Sequence, residues 1–427
     1  MLDLLVTNAH ISGHAERVDI ACQNGAITDV GPGLAARGAA HARTVLDAKG
    51  YLVTPPFVDS HFHMDATLSM GMPRLNQSGT LLEGIRIWGE LKPDLTPEGI
   101  RERAVRLLSW AVAKGNLAIR THVDTTDPTL MAVDVLLDVR ESMKNHVDIQ
   151  LVAFPQDGVL RSPDGVTLLR RALDKGVDVV GGIPHFERTM DEGRRSVEIL
   201  CEIAAERGLM VDMHCDESDD PHSRHIEALT FQTQRLGMQG RVTGSHLTSM
   251  HSMDNYYVSK LLPLMAEARM NCICNPLVNM NLQGRHDSYP KRRGLMRVPE
   301  LLDIGINVSL GHDDVMDPWY PMGTHDMLEV AHMGAHALHM TGVDQQKALF
   351  DAVTVNGAKT LNLPGYGIAP GCNADMVILQ ATSRMEALRL HPPRLYVIRR
   401  GEIISTMPEA TARVTLNGET QAVDFRL

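Results

Sequence analysis

Cysteine is scarce in this chain of 427 residues, and its six cysteines show no spacing typical of a disulfide framework. This argues against a small disulfide-stabilised secreted domain and predicts reduced thiols in a cytoplasmic protein. Cys272 and Cys274 form a close pair, but without a second pair nearby they do not predict a metal site. Because no apolar run approaches the ~20 residues that span a bilayer, and the amino terminus lacks the pattern of a secretory signal, we expect no membrane association.

Basic residues are not in excess either, since the formal net charge is −11. A protein that binds nucleic acid needs a basic surface, because neutralising phosphates supplies most of the affinity. The composition therefore argues against a nucleic-acid partner. It favours a small-molecule substrate.

Between residues 56 and 365, patterns typical of strands alternate with patterns typical of helices eight times. Strands joined by helices in this way predict a parallel sheet, and eight units predict an α/β fold of the (β/α)₈ TIM barrel type. Residues 1–55 and 366–427 instead contain short strand patterns separated by turns. We therefore predict a small β-sandwich domain built from both chain termini beside a barrel of residues 56–365.

Polar residues are concentrated where the predicted barrel strands end. Nearly every strand is apolar until its carboxyl end, where catalytic residues of such barrels lie. The eight strand ends are 61–63, 121–124, 154–156, 183–185, 214–217, 245–246, 274–276 and 311–314. They predict one active site at the mouth of the barrel.

A metal centre is the first feature predicted at this mouth. His61 and His63 lie two residues apart on a strand, so their imidazoles share a face and can reach one ion. Chance alone gives about one such motif among 20 histidines, so its position at a strand end makes it informative. His214, His246 and Asp313 end other strands, and a set of histidines with one aspartate suits Zn²⁺ or Fe²⁺ with a position open for water.

One ion per chain is expected. A second ion in such a barrel usually needs a modified lysine or a carboxylate at the end of the fourth strand, and that strand ends here with His185. His122 and His185 also end strands and are candidates to line the mouth. His222 and His225 are expected at the surface or behind the ligands.

Several segments resemble bacterial cytosine deaminases of the amidohydrolase superfamily. These segments are 55–63, 76–80, 152–157, 183–187, 211–217, 275–279, 290–294 and 311–321, and the resemblance covers essentially the whole chain. It implies hydrolytic deamination of free cytosine to uracil and ammonia by a homo-oligomer, a hexamer in such a family. It also implies one Fe²⁺ or Zn²⁺ on residues matching His61, His63, His214 and Asp313.

Two departures from close relatives bear on the substrate. Leu82 and Met316 stand where those relatives tend to carry Phe, which leaves the preference for 5-substituted cytosines open. The H-x-E and P-C-x-x-C motifs of the unrelated zinc deaminases are absent from the sequence.

Catalytic roles follow from residue types and from the resemblance. Glu217, three residues after His214, is suited to move a proton from the attacking water to the ring nitrogen and the leaving amine, and a helix start is its alternative role. The resemblance implies that His246 orients the attacking water while Asp313 accepts its proton. The strand-end pattern equally allows His246 to be a metal ligand.

Four residues are predicted to bind the substrate. Gln156 offers one donor and one acceptor to the N–H and C=O edge of the ring. Asp314 can accept hydrogen bonds from the exocyclic amine, unless it caps the next helix. Trp319 can stack on the ring or wall it, unless it packs in the core. The resemblance adds a backbone contact near Leu81.

The sequence also allows two other enzyme activities and one role without catalysis. The same barrel could deaminate a related amino-heterocycle such as isocytosine or creatinine, or hydrolyse a cyclic amide. The last reaction is typical of a two-metal site with a modified lysine, which the fourth strand end lacks. A binding protein without activity would lack a ligand or the proton shuttle, and both are present.

Overall fold

The computed structural model describes residues 1–38 and 41–426, and the chain enters it through a small β-rich region. The first strands are β1 (Leu2–Ala9), β2 (Val18–Gln23), β3 (Ala26–Gly31), β4 (Ala42–Asp47) and β5 (Leu52–Thr54), with helix α1 (Leu34–Gly38) before β4. The first four strands form a sheet in the order β3-β2-β1-β4, in which β1 runs antiparallel to β2 and parallel to β4.

Eight parallel strands follow. They are β6 (Phe57–Phe62), β7 (Asn116–Asp124), β8 (Asp148–Phe154), β9 (Val179–Gly182), β10 (Met210–Cys215), β11 (Val242–His246), β12 (Asn271–Cys274) and β13 (Asn307–Leu310). Each pairs with the next along the chain. Their residues are almost all buried, as expected for parallel strands covered on both faces.

The sheet closes into a barrel where its first and last strands meet. Asp313 lies just beyond β13, and its backbone N–H donates to the carbonyl of His61 at 2.8 Å. The N–H of His63 donates in return to the carbonyl of Asp313 at 3.0 Å. The closure therefore lies at the carboxyl ends of the strands and joins three of the predicted metal ligands through the backbone.

Helices cover the outside of the barrel. Those between barrel strands are α2 (Leu81–Leu91), α3 (Pro97–Ala113), α4 (Met131–Met143), α5 (Gly165–Asp174), α6 (Met190–Arg207), α7 (His225–Arg235), α8 (Asn255–Glu267), α9 (Pro276–Leu282) and α10 (Val298–Asp303). Three more, α11 (Met327–Ala337), α12 (Val343–Ala352) and α13 (Val355–Leu361), follow β13. Helix α13 packs against both β6 and β13, and so covers the closure from outside.

The end of the chain returns to its beginning. Strands β14 (Met376–Leu379), β15 (Arg394–Arg399) and β16 (Glu402–Thr406) form an antiparallel sheet with β5, and α14 (Arg384–Leu390) lies between β14 and β15. Side chains of this sheet and of the β1 sheet share one apolar cluster, which includes Leu4, Val6, Val53, Met376 and Ile398. A last hairpin, β17 (Ala412–Leu416) with β18 (Glu419–Val423), is largely exposed.

The predicted fold class is confirmed. The barrel has eight parallel strands, and two sheets drawn from both chain ends form the small sandwich. None of the helices in the described residues has the length and apolar character needed to cross a bilayer.

Candidate active site

Four side chains from four strand ends converge at the mouth of the barrel. One ligand atom from each of His61, His214, His246 and Asp313 lies within 4.8 Å of the others. Nε2 of His61 is 3.3 Å from Oδ1 of Asp313. His63 joins this cluster, because its Nε2 lies 2.9 Å from Nε2 of His214 and 3.6 Å from Oδ1 of Asp313.

The backbone departs from strand geometry at two of these residues. His246 has φ of 69° and Asp313 has φ of 72°, both in the left-handed region that side chains with a Cβ rarely adopt. At Asp313 this ends the alternation of the strand, so that Asp313 and Asp314 both line the same cavity. Unfavourable backbone conformations of this kind persist where the surrounding structure enforces them, commonly at active sites.

The cluster has the chemistry of a cation site. Both ring nitrogens of His61 are buried and make no hydrogen bond to the described residues, although Nε2 lies 3.3 Å from Oδ1 of Asp313. Burial lowers the pKa of His61, His63 and His214 well below the usual value, so their imidazoles are neutral and offer lone pairs. Burial also raises the pKa of Asp313, and a cation beside it would offset that cost. The residues therefore fit a divalent metal ion.

A cavity of about 340 Å³, counted with its open mouth, lies over this cluster. This volume is at the low end of small-molecule sites. Its lining combines a polar side with an apolar one: His63, Gln156, His214, Glu217, His246, Asp313 and Asp314, and then Leu81, Ile85, Ile183, Leu282 and Trp319. Such a lining suits a small planar molecule with polar groups along its edges.

Glu217 is a buried carboxyl group beside the cluster. Its Oε1 lies 3.5 Å from Nδ1 of His246 and accepts a hydrogen bond from the amide of Asn279 at 3.3 Å. Burial raises the pKa of Glu217 to about 8. A group that titrates near neutral pH can both take and release protons there, as a general acid and base must.

Trp319 forms one wall of the cavity, and its position is fixed from two sides. Asp317 accepts hydrogen bonds from the backbone N–H of Trp319 and Tyr320, both at 2.9 Å, which forms the turn that presents the indole. On the other side the indole lies against Gly84 of α2, where an added Cβ would come within 2.4 Å of Cδ1. Glycine at this point lets the helix carry Leu81 and Ile85 up to the cavity.

The structure brings together the residues predicted for the site. His63, Leu81, Gln156, His214, Glu217, His246, Asp313, Asp314 and Trp319 line one cavity, and His61 lies directly behind it. His122 and His185 are outside this lining. His122 is buried next to His61, with ring centroids 4.1 Å apart, and Nδ1 of His225 lies 2.8 Å from Oδ1 of Asp216.

Leu82 was wrongly expected near the substrate. It is 59 % exposed, because Leu81 and Ile85 are one turn apart on α2 and face the cavity, whereas Leu82 lies on another side of the helix. Met316 is also absent from the cavity lining and packs on the core.

Comparison with known proteins agrees with this architecture. Residues 44–418 match the model of the amidohydrolase family, which is most of the chain. The chain belongs to the amidohydrolase family, and the resemblance inferred from its motifs is confirmed.

Solved structures give a narrower comparison. The 5-methylcytosine deaminase of Klebsiella pneumoniae liganded with 5-fluorocytosine is 42% identical, with a TM-score of 0.93 over 96% of this chain and 99% of that one. N-isopropylammelide isopropylaminohydrolase of Burkholderia multivorans is 28% identical, with a TM-score of 0.82 over 95% of this chain and 99% of that one. A pterin deaminase of Rhizobium rhizogenes is 29% identical over 91% of this chain and 88% of its own length.

Proposed function

We propose that this protein deaminates free cytosine and 5-substituted cytosines by hydrolysis. The observation that carries the proposal is a single small cavity that joins a His and Asp cluster, a buried Glu and the side chains of Gln156 and Asp314. The reaction adds water across the N3–C4 double bond of the base and releases ammonia, giving uracil or its 5-substituted form.

One divalent ion, Fe²⁺ or Zn²⁺, would be held by His61, His63, His214 and Asp313. Such an ion lowers the pKa of water towards ~7 and so makes hydroxide available at neutral pH. His246 would orient the nucleophile, since its Nδ1 lies between Glu217 at 3.5 Å and Asp313 at 3.8 Å.

Glu217 would move the protons. It takes one proton from the attacking water and delivers it to ring nitrogen N3, and it then passes the proton of the new C4 hydroxyl group to the amino group, so that ammonia leaves as the C4 carbonyl forms. Its burial in the cavity wall keeps bulk water from competing for these transfers. The overall balance is one water consumed and one ammonia released for each base.

Two polar side chains would fix the orientation of the ring. The Gln156 amide presents one donor and one acceptor, which match the C2 carbonyl and the neighbouring N–H of cytosine. Asp314 would accept from the amino group at C4. Trp319 and Leu81 would hold the flat ring between them, with a backbone contact near Leu81 and no room left for a ribose on N1.

The apolar side of the cavity supports the acceptance of a substituent at C5. Leu81, Ile85, Ile183 and Leu282 offer a surface on which a methyl group loses no hydrogen bond. The structural neighbour from Klebsiella pneumoniae is a 5-methylcytosine deaminase, a protein whose substrate carries such a methyl group.

The test is ammonia release from a panel of amino-heterocycles by protein of measured metal content. We expect turnover of cytosine, 5-methylcytosine and 5-fluorocytosine, and roughly 100-fold or more lower kcat/KM on cytidine, about the discrimination that one badly fitting group causes in a substrate pocket. Isocytosine, creatinine and pterin serve as competitors in the same assay. Higher kcat/KM on any of these three, or comparable kcat/KM on cytidine, would contradict the proposed substrate.

A further inference from the structure

Asn279 connects the two groups to which the proposed reaction assigns proton transfer and orientation of water. It lies on α9, one turn after the end of β12, and its side chain is fully buried. Its amide nitrogen Nδ2 is 3.3 Å from Oε1 of Glu217 and 3.0 Å from Nδ1 of His246. One amide group therefore contacts both side chains from behind the cavity wall.

A second asparagine one turn earlier contacts the same imidazole. Nδ2 of Asn275 lies 3.4 Å from Nδ1 of His246, and Asn275 is also buried. The spacing of four residues places both asparagines on one face of the helix start. His246 is thus held by two carboxamides, and Asn279 alone of the two also reaches Glu217.

Packing does not explain Asn279. Its Oδ1 is buried and has no hydrogen-bond partner among the described residues. Burying a polar group in this way is costly, and an apolar side chain of similar volume would avoid the cost. What distinguishes asparagine here is its pair of N–H donors.

Those donors favour the ionised form of Glu217, the form that burial by itself disfavours. An ionised carboxylate only accepts hydrogen bonds, so the amide must present its nitrogen and not its oxygen to Glu217. The second hydrogen of the same nitrogen then points to Nδ1 of His246, which accepts it. The ring proton of a neutral His246 is consequently on Nε2.

We propose that Asn279 is a positioning residue that acts through Glu217 and His246. It holds the Glu217 carboxylate at the cavity in the state that takes a proton from water, and it fixes the orientation of the His246 ring. This proposal rests on the function proposed above, because it assumes that Glu217 moves the protons.

The test is a double-mutant cycle of Asn279→Leu with Glu217→Gln, with metal content measured for every variant. In the wild-type background we expect Asn279→Leu to lower kcat about 10- to 100-fold, the loss of a hydrogen bond to a charged group. KM should change by less than about threefold, since Asn279 lies behind the residues that line the cavity. In the Glu217→Gln background the same change should lower kcat by less than about threefold, because the uncharged amide has no proton transfer to support.

Asn279→Asp provides a second, isosteric variant. It replaces the donor by a carboxylate next to Glu217, so its kcat should fall at least as far as that of Asn279→Leu. Near-normal kcat in Asn279→Asp would assign the residue a space-filling role. A crystal structure of Asn279→Leu should show the Glu217 carboxyl group displaced, and an unmoved carboxyl group would contradict the proposal.

Asn271 is the matched control, because it begins β12, the strand that leads into α9 at its other end. It is 4 % exposed and donates from Nδ2 to the carbonyl of Gly240 at 3.2 Å. Asn271→Leu should lower Tm and leave kcat within about twofold. Equal losses from Asn279→Leu in both Glu217 backgrounds, or losses seen in KM or metal content, would overturn the positioning role. If the wild type does not deaminate cytosine, the substrate proposal fails, and the cycle is read on whichever base of the panel is deaminated.

Discussion

The inside of the barrel carries polar residues near both of its ends. The two sets of residues differ in how many of their polar atoms form hydrogen bonds or ion pairs within the protein. At the amino-terminal end, Arg120 and Asp212 form an ion pair at 2.9 Å with neither side chain exposed. Arg120 also donates to Gln150 at 2.7 Å and to the carbonyl of Thr360 at 3.0 Å, and Ser245 donates to Asp212 at 2.6 Å. This amino-terminal network is saturated with protein partners.

At the mouth, buried polar atoms are left without protein partners. Among the described residues this holds for both ring nitrogens of His61, for Nδ1 of His214 and for Oδ1 of Asp314. An unpaired buried polar atom costs about 1–3 kcal/mol, so a cluster of them is stable only if something else completes it. The saturated network stabilises the fold, whereas the cluster of unsatisfied atoms at the mouth is where a ligand would complete the hydrogen bonds or the coordination.

His122 connects the two regions. Its Nε2 lies 3.9 Å from Oδ1 of Asp212, and its ring lies 4.1 Å from that of His61. It is fully buried and contacts both the saturated network and the candidate ligand. A single side chain therefore separates the saturated network from the unsatisfied atoms at the mouth. Mutations in the network and mutations at the mouth should have different consequences.

The largest effect is expected from His61→Ala. Removing this candidate ligand should abolish metal retention and activity together, because the loss of one of four protein ligands weakens ion binding and leaves a second open position beside the one for water. Elemental analysis of the purified variant should show well under one ion per chain, against one in wild type. Its unfolding midpoint without added metal should match that of metal-free wild type. Full activity requiring two ions per wild-type chain would contradict the single-metal site.

Arg120→Met should have the opposite profile. It leaves Asp212 buried without its partner, and breaking a buried ion pair in this way costs about 3–5 kcal/mol of unfolding free energy. The folded variant should keep its metal and have kcat within about threefold of wild type. Urea titration gives the first quantity and ammonia release the second. Replacing both partners, as Arg120→Met with Asp212→Leu, should recover part of the stability, since apolar pairs often substitute for buried ion pairs.

The residues at the mouth could be predicted from sequence, because a barrel fold brings the carboxyl ends of its strands together. Once eight units predicted a barrel, a His, Asp, Glu or Gln at each carboxyl end had to lie near the others. Glu217 and Gln156 were assigned in this way, and both line the cavity. The saturated network was not predicted, since Arg120 and Asp212 lie 92 positions apart and nothing local pairs them.

Other features depended on contacts that the sequence does not display. The roles of Asn275 and Asn279 follow from their distances to His246, although their segment was part of the family resemblance. Strand β4 is hard to predict from sequence, because its residues are largely exposed or half-buried and it pairs in the sheet with β1 at the edge. The hairpin of β17 and β18 is hard to predict for a similar reason, since its residues are nearly all exposed and show no alternation of burial.

The smallest effect is expected from Asp314→Ser. Asp314 follows the candidate ligand Asp313 directly, and the left-handed backbone at Asp313 ends the strand alternation, so that both residues line the cavity. We expect the two to have different roles, with Asp313 on the metal ion and Asp314 accepting from the amino group at C4. Serine removes a charged hydrogen bond worth ~1.5–3 kcal/mol, so kcat/KM on cytosine should fall roughly 10- to 100-fold.

The same substitution tests the shape of the cavity. Serine is shorter than aspartate, so it would open space beside C4 and C5 in the cavity that Ile85 and Leu282 also line. The ratio of kcat/KM on 5-methylcytosine to that on cytosine should therefore rise, while metal content stays at one per chain. As a control, replacing an exposed serine far from the cavity by alanine should leave this ratio of kcat/KM values unchanged, because the cavity stays intact. A ratio equal to that of wild type would mean that Asp314 does not face the substituted edge of the ring. Its buried carboxyl group would then have a structural role in the turn that ends at Asp317.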